Sequence, residues 1–132
     1  MMMGRFVVNV IPGNVTFSLH ARNGEPIATS LSFSSLSVAK RSVESVRRLA
    51  SLRDIGLDDC SVRTKDPDAK PVKNPKFEIY KDKNGAFRFR LRARNGEVVL
   101  NSSSYTTKAS CKNGITSVLK NAPDAELVVQ NP

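Results

Sequence analysis

Tryptophan is absent from this 132-residue chain, histidine occurs once and cysteine twice. A lone His20 with Cys60 and Cys111 falls short of a four-ligand zinc site and of a disulfide framework. Buried, inert thiols are expected, with no metal and no cofactor. No Gly-x-Gly-x-x-Gly or Gly-x-x-x-x-Gly-Lys-Ser/Thr stretch occurs, which removes the common phosphate cradles. Long apolar runs are missing too: Phe6 to Val8 and Val98 to Leu100 fall far short of the roughly 18–20 residues of a membrane span. No membrane association is expected. The opening Met1-Met2-Met3-Gly4-Arg5 leads into a run broken by Asn9 and Pro12, without the apolar region of a signal peptide and without Gly at position two. The expectation is a cytoplasmic protein. Acidic residues are the scarcer charge, 12 against 21 basic, for a net charge of +9. The excess is concentrated in the second half, where 67–132 carry net +6 against +3 for 1–66. Such a balance favours an anionic partner, nucleic acid foremost, but also serves solubility.

What is present is self-similarity. Ala21-Arg22-Asn23-Gly24-Glu25 recurs 72 positions later as Ala93-Arg94-Asn95-Gly96-Glu97. At the same offset Phe17, Leu19, Ser30, Lys40, Ser45, Val46 and Ala50 meet identical residues, Phe33 faces Tyr105 and Val43 faces Ile115. We read two tandem repeats, one at about 5–63 and one at about 76–130, joined by a proline-rich linker over 64–75, the whole of 1–132 forming a single compact pseudo-dimeric domain.

In the second repeat, Lys76 to Tyr80 alternates as a strand and Lys81 to Gly85 supplies a turn. Ala86 to Arg94 then places Phe87, Phe89, Leu91 and Ala93 on one face and Arg88, Arg90, Arg92 and Arg94 on the other. Asn95-Gly96 predicts a two-residue hairpin loop with positive φ at both positions, as Asn23-Gly24 does in the first repeat. That loop sets Arg94 opposite Glu97, Ala93 opposite Val98, Arg92 opposite Val99 and Leu91 opposite Leu100, and pairs Arg22 with Glu25. Thr107 is suited to cap a helix carrying Cys111, Ile115, Val118 and Ala122 at helical spacing; Ser35 precedes Ala39, Val43, Val46 and Ala50 in the same way. Gly114 beside that stripe suggests close helix–sheet approach, because a mid-helix glycine otherwise costs about 1 kcal/mol. Pro123 ends the second helix, Glu126 to Val129 reads as a last strand, and Asp59 to Arg63 is its counterpart. Each unit is βββαβ, with two open sheet edges that pairing of units would cover. The fold class is α+β: two such repeats forming one continuous sheet with both helices on one face.

The second repeat, with Phe77-Glu78-Ile79-Tyr80, Asp82-Lys83-Asn84-Gly85, Phe89-Arg90-Leu91-Arg92-Ala93-Arg94-Asn95-Gly96-Glu97, Ser102-Ser103-Ser104-Tyr105 and Ala109-Ser110-Cys111-Lys112-Asn113-Gly114-Ile115, resembles the YegP-like domain. The first repeat departs from it, with Ile11-Pro12-Gly13-Asn14 in the first turn, Phe33 for the tyrosine and Arg41-Ser42 for Asn-Gly. The resemblance implies two units that build one sheet and exchange their C-terminal strands. It implies no activity, since the family has none assigned. A monomer with an internal pseudo-dimer is the expected state.

No constellation points to an enzyme, and no catalytic residues are assigned. Ser18 and His20 share an outward strand face, but about 6.6–6.8 Å separates such positions along a strand, beyond the reach of a nucleophile and its base. Asp58-Asp59 reads as a turn. The arginine row, Arg88, Arg90, Arg92 and Arg94, with Tyr80 on the same face, is the candidate anion or nucleic-acid contact. Glu78 and Glu97 share that face and reduce its charge. The expected function is a non-enzymatic binding or structural module; the alternative is a weak, sequence-indifferent RNA or DNA binder. The sequence does not identify a partner; nucleic acid and another protein are the two kinds to be expected.

Overall fold

Alternating apolar residues and two capped helices produce the order β1 (Arg5–Ile11), β2 (Asn14–His20), β3 (Pro26–Thr29), α1 (Leu36–Ala50), β4 (Gly56–Asp59), β5 (Lys76–Lys81), β6 (Phe87–Arg92), β7 (Val98–Ser102), α2 (Lys108–Asn121) and β8 (Glu126–Gln130). The structure is a computed structural model that describes residues 4–62 and 71–130. Residues 64–70, most of the expected linker, lie outside the described residues, as does Arg63.

The eight strands form one sheet in the order β4-β5-β6-β7-β3-β2-β1-β8. β1 to β3 and β5 to β7 are antiparallel meanders, joined where β3 meets β7. The strand that follows each helix lies beside the other meander: β4 runs parallel to β5, with Gly56 opposite Lys76, and β8 runs parallel to β1, with Glu126 opposite Arg5. The protein is therefore a mixed α+β fold.

Both helices cover one sheet face. Ser35 Oγ accepts the Val38 N–H at 3.4 Å and Thr107 Oγ1 accepts that of Ser110 at 3.1 Å, which satisfies one orphan donor at the start of each helix. Ala39, Val43 and Val46 of α1 and Cys111 and Val118 of α2 are fully buried against Phe6, Val8, Phe17, Leu19, Phe77, Ile79, Phe89 and Leu91. Each half contains a similar aromatic trio, with Tyr105 in the second where the first has Phe33. Phe17 packs edge-on to Phe6 and stacks with Phe33 at 6.0 Å; Phe89 packs edge-on to Phe77 and stacks with Tyr105 at 6.3 Å. Burying one such ring stabilises the fold by about 1.5–3 kcal/mol. Gly114 sits where α2 crosses this set: a Cβ there would collide with Tyr105 Oη and lie 2.9 Å from Phe89 Cε2. Close approach accounts for the glycine.

Several sequence expectations are corrected. The Asn-Gly loops are not two-residue turns: the Ala93 N–H donates to Glu97 O and the Gly96 N–H to Ala93 O, both at 2.9 Å, and only Gly96 has positive φ, at 87°. A three-residue loop closed by a left-handed glycine results, and Asn95 instead turns its side-chain oxygen to the Glu97 N–H. Leu91 still faces Leu100, but Arg92 faces Val98, so Val99 is an extra residue in a bulge. Ala21 to Glu25 repeats this loop. Arg94 and Arg22 are thus loop residues rather than ladder partners of Glu97 and Glu25. The counterpart strand begins at Gly56, not Asp59, and Asp58-Asp59 lies within it rather than in a turn. Lys76 and Lys108, which bind those two carboxylates at 2.8 and 2.7 Å, offset the poor strand propensity of the pair. Cys111 is buried as expected, whereas Cys60, one residue past β4, is exposed.

Candidate functional site

The uncovered sheet face has two chemically different halves. In the half built from β4 to β7, Glu78 of β5 lies opposite Arg90 of β6, with Lys76 opposite Arg92 and Tyr80 opposite Arg88. Only 6% of Glu78 is exposed. Its Oε1 accepts from Arg90 Nε at 2.6 Å and Arg92 Nε at 2.5 Å, and Oε2 lies 3.3 Å from Lys76 Nζ. Burial alone would push this carboxyl up, but the Arg90, Arg92 and Lys76 hydrogen bonds outweigh it and hold its pKa down at about 2. Arg88 Nε donates to Asp82 Oδ2 at 3.0 Å, which is the main reason the Asp82 carboxyl is lowered. The Arg90 guanidinium covers the Tyr80 ring at 4.4 Å, and Tyr80 Oη donates to Asn101 Oδ1 at 2.8 Å.

Arg88, Arg90, Arg92 and Tyr80 are therefore brought together on one face, each already tied to an internal partner. Arg94 is not with them. It leaves the face in the β6–β7 loop and stands beside α1. Asp58, Cys60 and Glu78 place one ligand atom each within 4.8 Å of one another. A cation there would compete with Lys76, which already binds both carboxylates, and with Arg90 and Arg92. Partial desolvation of the sulfur on this exposed residue, with Asp58 and Glu78 adding to it, pushes the Cys60 thiol up, away from the thiolate a metal requires. The donor set suits an ion-pair network rather than a metal.

The other half, on β1, β2 and β8, departs from the sequence expectation as well. Ser18 Oγ and His20 Nε2 are 2.8 Å apart, and His20 Nδ1 is 3.1 Å from Gly24 O. The spacing of backbone positions along the strand overestimates the separation, because the imidazole reaches back along the face. The pair opens onto a cavity of about 430 Å³ with Arg5, Asn9 and Gln130 on its walls.

A larger groove, of about 1000 Å³, lies on the helix side between α1 and the β6–β7 loop. Arg41, Arg47, Arg48 and Arg94 surround it and Val38, Leu49, Leu52 and Val99 line it. Arg41, Ser45 and Arg48 recur at i, i+4 and i+7, one helix face; that spacing is the only sign of the groove in the sequence. Its second wall comes from the contact of α1 with β7, an element of the other meander. Arg47 is engaged by Glu44 at 3.2 Å and lies over the Phe6 ring. Arg41, Arg48 and Arg94 are exposed and form no ion pair among the described residues.

A "UPF0339 protein" of Treponema denticola is 62% identical over 53 residues, 40% of this chain and 91% of that protein. One of Pseudomonas aeruginosa is 35% identical over 115 residues, 87% of this chain and 86% of its own length. The solution NMR structure of the Escherichia coli protein of unknown function yegP superposes with a TM-score of 0.75 at 26% identity, covering 99% of this chain and 96% of that one. A family described as "Domain of unknown function (DUF1508)" matches residues 13–55 and 82–128, more than half of the chain. The chain belongs to this YegP-like family of unknown function.

Proposed function

We propose that the protein is a binding module whose ligand surface is the groove between α1 and the β6–β7 loop, and that its occupant is an acidic peptide segment with aliphatic side chains. The observation that carries this reading is the three uncommitted guanidinium groups, Arg41, Arg48 and Arg94, around an aliphatic floor. Carboxylates match the fork of a guanidinium, and Val38, Leu49, Leu52 and Val99 offer apolar contact. Base stacking has little support there, since the one ring on the groove, Phe33, is stacked on Phe17. The groove works by binding, without chemistry of its own. The alternative, a sequence-indifferent RNA or DNA contact through Arg88, Arg90 and Arg92, would have to displace Asp82 and Glu78 from those side chains. We further infer that the protein is a monomer in which two tandem βββαβ units pair as an internal pseudo-dimer and exchange their C-terminal strands. The recurring family match and the placement of β4 and β8 support this.

Fluorescence anisotropy with a labelled peptide of alternating Glu and Leu, and with mixed-sequence single-stranded RNA, between about 50 and 200 mM salt tests the reading. The peptide is expected to bind wild type and the Arg88→Gln/Arg90→Gln/Arg92→Gln variant alike, and to lose at least tenfold in affinity with Arg41→Glu/Arg48→Glu/Arg94→Glu. RNA binding that disappears in the first variant and not the second would overturn it in favour of the sheet face. No peptide binding at the low-salt end would refute it outright.

A further inference from the structure

The Ser18–His20 pair carries an inference that goes beyond the groove and does not depend on it. Gly24 O can only accept a hydrogen bond, so the nitrogen 3.1 Å from it, His20 Nδ1, bears the proton. In the neutral imidazole this leaves Nε2 as the acceptor, and the group 2.8 Å away, the Ser18 hydroxyl, must donate to it. The chain thus places a hydroxyl, a base aimed at its proton, and a third group that fixes the base's tautomer, in the order used by activated serines on unrelated folds. The Gly24 carbonyl is itself held in place: Gly24 adopts φ 87° and its N–H donates to Ala21 O at 2.9 Å.

The same positions in the other half serve a different purpose. At the repeat offset Ser18 and His20 correspond to Arg90 and Arg92, which close on Glu78. The residue opposite Ser18 is Val7, where Glu78 stands opposite Arg90. With no carboxylate in that place, Arg5, which lies opposite His20, forms no ion pair among the described residues and borders the same cavity as the hydroxyl. A cation bordering the same cavity as an activated hydroxyl is suited to the negative charge that develops on a carbonyl oxygen under attack.

We propose that Ser18 is a nucleophile, activated by His20, that accepts acyl groups from small carboxylic esters in the Arg5–Asn9–Gln130 cavity. The Ser18 Oγ to carbonyl-carbon bond forms as the hydroxyl proton passes to His20 Nε2, and the resulting oxyanion faces the Arg5 guanidinium. The carbon–oxygen bond to the alcohol then breaks, and the departing oxygen takes the proton from Nε2. Water attacks the acyl-serine and gives its proton to Nε2; the carbon–Oγ bond breaks and that proton returns to Oγ. The sum is ester plus water to carboxylic acid plus alcohol, with no change of oxidation state.

Two probes of full-length protein test the proposal, diisopropyl fluorophosphate and p-nitrophenyl acetate, with the adduct located by peptide mass spectrometry. Wild type is expected to form one adduct, at Ser18, and to release a burst of p-nitrophenol. Ser18→Ala should form none, His20→Gln should label at least about 100-fold more slowly, and Arg5→Gln should slow acylation with p-nitrophenyl acetate. Because all three side chains lie on the uncovered face, the variants should melt with wild-type cooperativity, which separates lost reactivity from lost folding. Nitrogen-15 shifts of the His20 ring give a readout independent of reactivity, and should report the Nδ1–H tautomer. An adduct at another residue, no adduct, a Ser18 rate indifferent to His20→Gln, or the Nε2–H tautomer would each overturn the assignment.

Discussion

Replacing Glu78 by Gln keeps the shape of the side chain and removes the one negative charge on which Arg90, Arg92 and Lys76 converge. The carboxyl titrates at about 2 in the folded protein against an ordinary value of 4.5. That gap, at about 1.4 kcal/mol for each pH unit, amounts to about 3 kcal/mol. Its side chain is only 8% exposed, so solvent screening removes little of this. The value also matches the cost of about 3–5 kcal/mol for taking one partner out of a buried ionic network. Because the folded pKa lies below the unfolded one, the stabilisation is present above about pH 4.5 and is lost as pH falls towards 2. Urea titrations of wild type and Glu78→Gln should therefore differ by about 3 kcal/mol at pH 7 and by less than about 1 kcal/mol at pH 2.5. In a melt at pH 7 the variant should fall by about 10 °C. Asp59 and Asp82, whose carboxyls are also lowered, titrate in both proteins and drop out of the difference. A difference that is equal at the two pH values, or below about 1 kcal/mol at pH 7, would refute the ionic account of this face.

Four further outcomes follow from particular contacts. Gly114→Ala should destabilise by about 1–3 kcal/mol in urea, as overpacking against Tyr105 and Phe89 exceeds the helix-propensity gain of about 1 kcal/mol; Tyr105→Phe in that background should recover part of the loss. Gly96→Val places a β-branched side chain at φ 87° and should lower the melting temperature, with an unchanged value counting against the loop assignment. Removing 126–132 strips β8 from β1, so amide exchange should rise in β1 and β2 and not only in the second meander. Ellman's reagent at pH 8 should titrate Cys60 alone in the folded protein, since Cys111 is fully buried and burial pushes its thiol up to about 11; both should react after unfolding.

The elements legible in the sequence were those decided by local chemistry. The caps Ser35 and Thr107, the helical stripes through Val46 and Val118 and the outward row on β6 depend on spacing that no distant contact alters. Asn-Gly was ambiguous for a physical reason. The same dipeptide serves a loop with two left-handed residues and one with a single left-handed glycine, and the latter spares Asn95 a positive φ at the expense of a bulge at Val99. The acidic pair Asp58-Asp59 reads poorly as strand because its stabilising lysines come from β5 and the start of α2, far away in sequence.

The site was less legible than the fold, because charge counting along a strand does not reveal which charges meet. Four arginines alternate along β6 and its loop, yet three are internal counter-ions and the fourth, Arg94, is carried by the extra loop residue towards α1. Its neighbours Arg41 and Arg48 come from the other half of the chain, so the basic groove exists only once α1 has packed against β7. The two meanders differ in one more way on the uncovered face. Where β5 and β6 set Glu78 opposite Arg90, β1 and β2 set Val7 opposite Ser18, and Ser18 and His20 pair with each other instead of closing on a carboxylate. That half is the one in which a polar pair faces an open cavity bordered by Arg5, which forms no ion pair among the described residues.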